Sequence, residues 1–193
     1  PCTLAPRQDH FVALARAIFA QQISTRIART LYERFAARFP RNTPTPRRVA
    51  KALAGEWDEP ILRQVGLSRQ KRSYLLDLAR HFCLRRFDAS RLSQMDDEQV
   101  IQTLTQVKGI GRWTAEMHLI FVLNRPDVLP VDDMGLRRAV QKFYNFAERP
   151  SADELRILAR RWAPYRSIAT GYLWRGLATL DGAALMRPRK LVC

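Results

Sequence analysis

Cysteine, histidine and acidic residues are scarce in this chain of 193 residues, and each scarcity excludes something. The three cysteines, Cys2, Cys83 and Cys193, lie far apart with none of the close spacings of a zinc site, so free thiols are expected. His10, His81 and His118 form no pairing suited to a metal and read as structural or surface residues. No apolar run approaches the roughly eighteen residues of a membrane span. The start, Pro1 to Pro6, is not a charged stretch leading into an apolar one, so it does not read as a secretion signal. A soluble cytosolic protein with no membrane partner is expected. Internal repeats, low-complexity tracts and Gly/Ser-rich linkers are also missing. Residues 1–193 should therefore pack as a single compact unit, long enough to bury a substantial core.

The acidic shortfall is the most directive of these features. Eighteen acidic residues face 33 basic ones, giving a formal charge of +15 and a pI near 10.9, which points to a polyanionic partner. Of the basic residues 28 are arginine and 5 are lysine. The planar guanidinium fork suits phosphate because it engages two oxygens at once.

No segment alternates apolar and polar residues convincingly. Apolar residues recur at helical spacing instead: Phe11, Leu14, Ala15 and Ile18; Ile27, Leu31 and Phe35; Leu75, Leu78, Ala79 and Phe82. Ser24 and Ser68 stand where helix N-caps belong, while Pro40 to Pro46 and Asn124 to Pro126 break helices. The chain reads as all-α, with about ten short helices.

One stretch carries chemistry, Leu104 to Leu136, LTQVKGIGRWTAEMHLIFVLNRPDVLPVDDMGL. Gly109-Ile110-Gly111 permits a tight turn between two helical patterns, and Arg112, Trp113 and Thr114 open a helix whose first amides lack partners inside it. Those amides, the helix dipole, Lys108 and Arg112 together suit a phosphate of a nucleic-acid backbone without reading its sequence. Some twenty residues on, Pro130-Val131-Asp132-Asp133 precedes another amphipathic helix, and one of the two aspartates falls at its N-cap. Capping accounts for one aspartate. Two beside a basic hairpin, in a chain suited to attract anions, suggest a carboxylate used for chemistry.

The segment 104–136 resembles the helix-hairpin-helix motif with its Gly/Pro-rich loop and aspartate, the signature of the base-excision DNA glycosylase superfamily, and specifically its 3-methyladenine DNA glycosylase II branch. Phe11 to Ser24, with its Gln21-Gln22-Ile23 turn, is similar to that branch's first long helix. Trp162 to Arg175 resembles its C-terminal helices, so the likeness runs from about residue 9 to 176. It implies a two-lobed fold, with residues 24–125 as the central lobe, 1–23 plus 126–193 as the second, and the active cleft between them. It implies too that the extra N-terminal β-rich domain of some relatives is missing.

The activity so implied is hydrolysis of the N-glycosidic bond of alkylated bases in double-stranded DNA by base flipping, by a monomer, in the bacterial cytoplasm at the nucleoid. Breaking that bond builds positive charge on the sugar. A fixed carboxylate stabilises the charge and orients water, and a helix N-terminus is a favourable place for an anion. By resemblance Asp133 takes this role, because Met134-Gly135-Leu136 matches the segment that follows the branch's aspartate; counting from Pro130 favours Asp132 instead. Trp113 stands where lyase-type relatives place a Schiff-base lysine, which implies a monofunctional enzyme with water as nucleophile. Trp113 and Trp174 are the aromatic candidates to hold a cationic alkylpurine, and a side chain of the turn at Gln22 and Ile23 the candidate to fill the gap left in the stack. DNA contacts are assigned to Lys108, Gly109, Gly111, Arg112, Thr114, Gln22 and Ile23.

No cofactor is required by this resemblance. It implies no iron–sulfur cluster, because the four closely spaced late cysteines of some relatives are missing. It allows a monovalent cation, Na or K, on the carbonyl oxygens of Thr105, Val107 and Gly109. Two other functions fit part of the pattern: a glycosylase for oxidised or deaminated bases, and a non-catalytic helix-hairpin-helix DNA-binding protein.

Overall fold

The computed structural model of the chain describes residues 9–84 and 89–181. Among these the only regular structure is helical: ten α-helices with short 3-10 and π turns. Cys2 and Cys193 lie outside the described residues, and Cys83 is an exposed free thiol.

Side-chain caps set most helix starts. The hydroxyls of Ser24 and Ser68 accept from the third amide of α2 (Thr25–Ala36) and of α5 (Arg69–Cys83), as their positions in the sequence predict. Asp9 caps α1 (His10–Ala20) in the same way. Pro46 occupies the first turn of α3 (Pro46–Lys51), which runs on into a π turn at Ala52–Glu56, followed by α4 (Glu59–Gln64). A reciprocal capping box between Asp96 and Gln99 opens α6 (Asp97–Leu104).

Two compact units result, Gln8–Ala115 and a second from Glu116 onward, with the boundary inside α7 (Arg112–Phe121). This division differs from the lobes expected above. Helix α1 packs on α2 and α5: Phe11 meets Phe82 edge-on at 5.3 Å, and Phe19 meets Tyr32 at 5.7 Å. At the centre of this unit Phe35 is surrounded by Phe19, Phe39 and Trp57, with ring centroids 5.1–5.6 Å away. Each such ring contributes roughly 1.5–3 kcal/mol by leaving water, which is why α1 stays with these helices.

In the second unit α8 (Met134–Phe143) packs on α10 (Arg166–Leu180), with α9 (Ala152–Ala159) completing the core. Val131, Leu136, Val140, Leu155 and Leu158 are buried together, and Leu173 of α10 packs against them. Val131 and Leu136 flank the aspartate pair, so the loop that presents it is anchored by apolar burial on both sides. Among the described residues no helix is long and apolar enough to cross a membrane.

Candidate functional site

The hairpin between α6 and α7 belongs to the first unit and is tied down at several points. Val107 and Ile110 are buried, and Ile110 N donates to Val107 O at 3.1 Å, which closes the turn. Gly109 has φ +81°, a left-handed conformation natural to glycine. Its carbonyl accepts from Gln21 Nε2 at 2.6 Å, and Lys108 N donates to Asp77 Oδ2 at 2.9 Å. A side chain at Gly109 would run into the Tyr74 ring, 2.2 Å from where a Cβ would stand. The turn is therefore preformed against α5 and the end of α1.

Two of the assigned contacts change in this setting. Thr114 is buried, so its side chain offers little surface to a DNA backbone. Arg112 and Trp113 are exposed, and burial begins at Thr114 and continues through Glu116. Lys108, Gly111 and Arg112 stay exposed, but the Arg112 guanidinium already grips both Glu98 oxygens at 3.0 and 2.8 Å. Those hydrogen bonds hold the Glu98 carboxyl below its ordinary range. Gln22 is exposed at φ +60°, at the tip of the turn after α1, and Ile23 is half-buried beside it. Trp113 is 45% exposed at the second position of α7.

In the second unit the aspartates separate. Asp132 is exposed, whereas Asp133 is buried at the N-cap of α8. Its backbone N donates to Pro130 O at 3.0 Å, which makes the tight turn that delivers the side chain. Asp133 Oδ1 accepts from Leu136 N at 2.5 Å and from Trp174 Nε1 at 2.8 Å. One oxygen of the carboxylate is thus fixed by a helix amide and by an indole. Gly135 keeps this arrangement open, since a Cβ there would lie 3.2 Å from Asp133 Oδ1 and 3.4 Å from Trp174 Nε1.

Trp174 has a second neighbour. Phe121 stacks on it with ring centroids 5.9 Å apart and planes 21° apart, so one indole face is covered by an aromatic partner. Sequence reading missed Phe121, Asp77, Glu98 and the donor role of Gln21 and Trp174. The helical spacing of Phe121 looks like any core position, and it gives no sign of a partner 53 positions away. Among the described residues no group of three or more His, Cys, Asp or Glu side chains could hold a metal.

Comparisons with known proteins show the family to which the chain belongs. Residues 15–164 match the family model described as HhH-GPD superfamily base excision DNA repair protein. The alkylbase DNA glycosidase-like protein mag2 of Schizosaccharomyces pombe is 31% identical over 180 residues, covering 91% of this chain and 82% of that protein. Among solved structures, the S. pombe 3-methyladenine DNA glycosylase Mag1 in complex with abasic DNA superposes with a TM-score of 0.76 at 30% identity, covering 90% of this chain and 85% of that one. A DNA-3-methyladenine glycosidase from Bacillus halodurans superposes with a TM-score of 0.79 at 32% identity, over 93% and 81% of the two chains. The chain belongs to the HhH-GPD superfamily of base excision DNA repair proteins.

Proposed function

We propose that this chain is a monofunctional DNA glycosylase that hydrolyses the N-glycosidic bond of alkylated bases such as 3-methyladenine in duplex DNA, leaving an abasic site. The observation that carries this reading is Asp133, a buried N-cap carboxylate fixed by Leu136 N and Trp174 Nε1 in a chain of this family. A carboxylate held this rigidly needs little reorganisation as positive charge builds on the sugar, and it orients the attacking water. Trp113 and Trp174 offer aromatic surface to a cationic alkylpurine, which a cation–π contact favours over a neutral base. Base flipping brings the lesion out of the stack, and the exposed turn at Gln22 and Ile23 fills the gap. The protein is proposed to act as a monomer.

The hairpin holds the DNA backbone through its amides and basic residues. The carbonyl oxygens of Val107 and Gly109 each accept one hydrogen bond, from Ile110 N and Gln21 Nε2, and each retains a second lone pair. With the Thr105 carbonyl they are the oxygens that would be offered to a monovalent cation. When bound, such a cation would add positive charge between the hairpin and a phosphate.

Duplex DNA treated with a methylating agent should release 3-methyladenine and yield intact abasic strands. Borohydride added during turnover should trap no protein–DNA adduct, because position 113 supplies no amine. Absence of any base release would overturn the reading; release together with a trapped adduct would overturn its monofunctional part.

Salt offers an independent check. Affinity for undamaged duplex should fall steeply with salt concentration as bound counterions are released. Glu98 neutralises the Arg112 charge that a phosphate would meet, so Glu98→Gln should tighten undamaged-duplex binding a few-fold. Arg112→Ala should reduce the logarithmic salt slope by about one. Unchanged binding by both variants would remove Arg112 from the contact surface.

A further inference from the structure

Asp133 and Trp174 are 41 positions apart, and a second set of ties joins the same two segments. Both oxygens of Asp127 are engaged by the start of α10. Oδ1 accepts from Arg166 N at 3.1 Å and from Arg166 Nε at 2.7 Å, and Oδ2 accepts from Arg166 Nη2 at 2.8 Å. Next to it the buried Ser167 donates its backbone N to Pro126 O at 3.0 Å, and its Oγ accepts from Val128 N at 2.9 Å. Hydrogen bonding from Arg166 holds the Asp127 carboxyl below its ordinary range, so the pair is charged at neutral pH.

The geometry forms a strap. Residues 126–128 are stitched to the first turn of α10, and Asp133 is stitched to Trp174 eight residues after Arg166, about 12 Å along the helix at about 1.5 Å per residue. Val128 and Val131 are buried between these ends. Five residues separate Asp127 from Asp133, so the segment is short enough that its far end fixes the path of its near end. A pair half-exposed at the surface contributes little stability by itself. A bidentate pair reinforced by a backbone amide and a buried serine sets register instead.

We propose that Asp127, Arg166 and Ser167 are positioning residues, which hold the Pro126–Asp133 segment in register with α10 so that Trp174 Nε1 meets Asp133 Oδ1. Their influence on base release rests on the glycosylase reading; their influence on the indole does not.

The first test is therefore spectroscopic and needs no DNA. In a 15N–1H spectrum, the Trp174 indole resonance, identified among the four tryptophans with Trp174→Phe, should move in Asp127→Asn, while those of Trp57 and Trp113 stay in place. An unmoved Trp174 resonance overturns the proposal whatever the activity. The second test is single-turnover base release, normalised to the fraction that binds an abasic-site analogue. Asp127→Asn should slow release by about ten-fold or more with analogue affinity kept within about two-fold, and should add nothing further in an Asp133→Asn background. Loss of folded protein without loss of rate per active molecule, or full additivity with Asp133→Asn, identifies a structural pair only and overturns the proposal. Ser167→Ala, which removes one hydroxyl, takes the place of Asp127→Asn if that variant does not fold. A wild-type protein that releases no base but whose Trp174 resonance responds to Asp127→Asn would overturn the glycosylase reading and leave the register assignment intact.

Discussion

Replacing Asp133 by asparagine is expected to slow base release by about 100-fold or more, while binding to an abasic-site analogue survives. The substitution is unusually clean at this position. The amide oxygen of asparagine can take the place of Oδ1, so Leu136 N and Trp174 Nε1 both keep an acceptor. Asparagine also caps helices about as well as aspartate, so α8 should start where it does now. What disappears is the negative charge proposed to face the developing cation. Asp132 is exposed, and Asp132→Asn should change the rate far less. Single-turnover rates at saturating enzyme decide the matter: near-wild-type release by the Asp133 variant would sink the assignment, and a large loss in the Asp132 variant alone would transfer the role.

The features legible in the sequence were those written in neighbouring residues. Helical spacing of Phe11, Leu14 and Ile18 gave α1, the serines at 24 and 68 gave two N-caps, and an aspartate before Met134 gave the cap of α8. The hairpin glycine is likewise local, because a left-handed turn between two helices calls for one. Contacts between distant residues were not legible. Gln21 reaches Gly109 across 88 positions, Arg166 reaches Asp127 across 39, and nothing in the spacing of either pair announces the other. The grouping of α1 with α2 and α5 was missed for a related reason. Which side an amphipathic helix buries is periodic, whereas what it buries that side against depends on the shapes of Phe19, Phe35 and Trp57. Glu98 shows the limit most sharply: the place of Arg112 at the hairpin marks it as available to phosphate, and only the fold reveals the carboxylate already there.

The two hairpin glycines look equivalent in sequence and should behave very differently when mutated. Gly109→Ala is expected to lower stability by about 2–3 kcal/mol, because a left-handed φ and a steric clash are imposed together. The new methyl would stand 2.2 Å from Tyr74 Cδ2. That ring cannot swing away without cost, since Tyr74 Oη accepts from Gln70 Nε2 at 2.7 Å. If the turn distorts, the Gly109 carbonyl leaves Gln21 and the Lys108 amide leaves Asp77. Binding should then weaken by about ten-fold or more on damaged and undamaged duplexes alike, as expected of a part that holds backbone and not bases. At Gly111 a Cβ meets nothing within 4 Å. Gly111→Ala should therefore stay within about 0.5 kcal/mol of wild type and bind DNA nearly as well. Thermal melts and binding titrations on both variants provide the check, with Tyr74→Ala as a control background. Removing the ring should recover part of the Gly109→Ala loss and leave the part due to φ. Equal, small effects at both glycines would show that the turn is not held by α5 as described; a loss confined to damaged duplex would move the hairpin from backbone binding to lesion recognition.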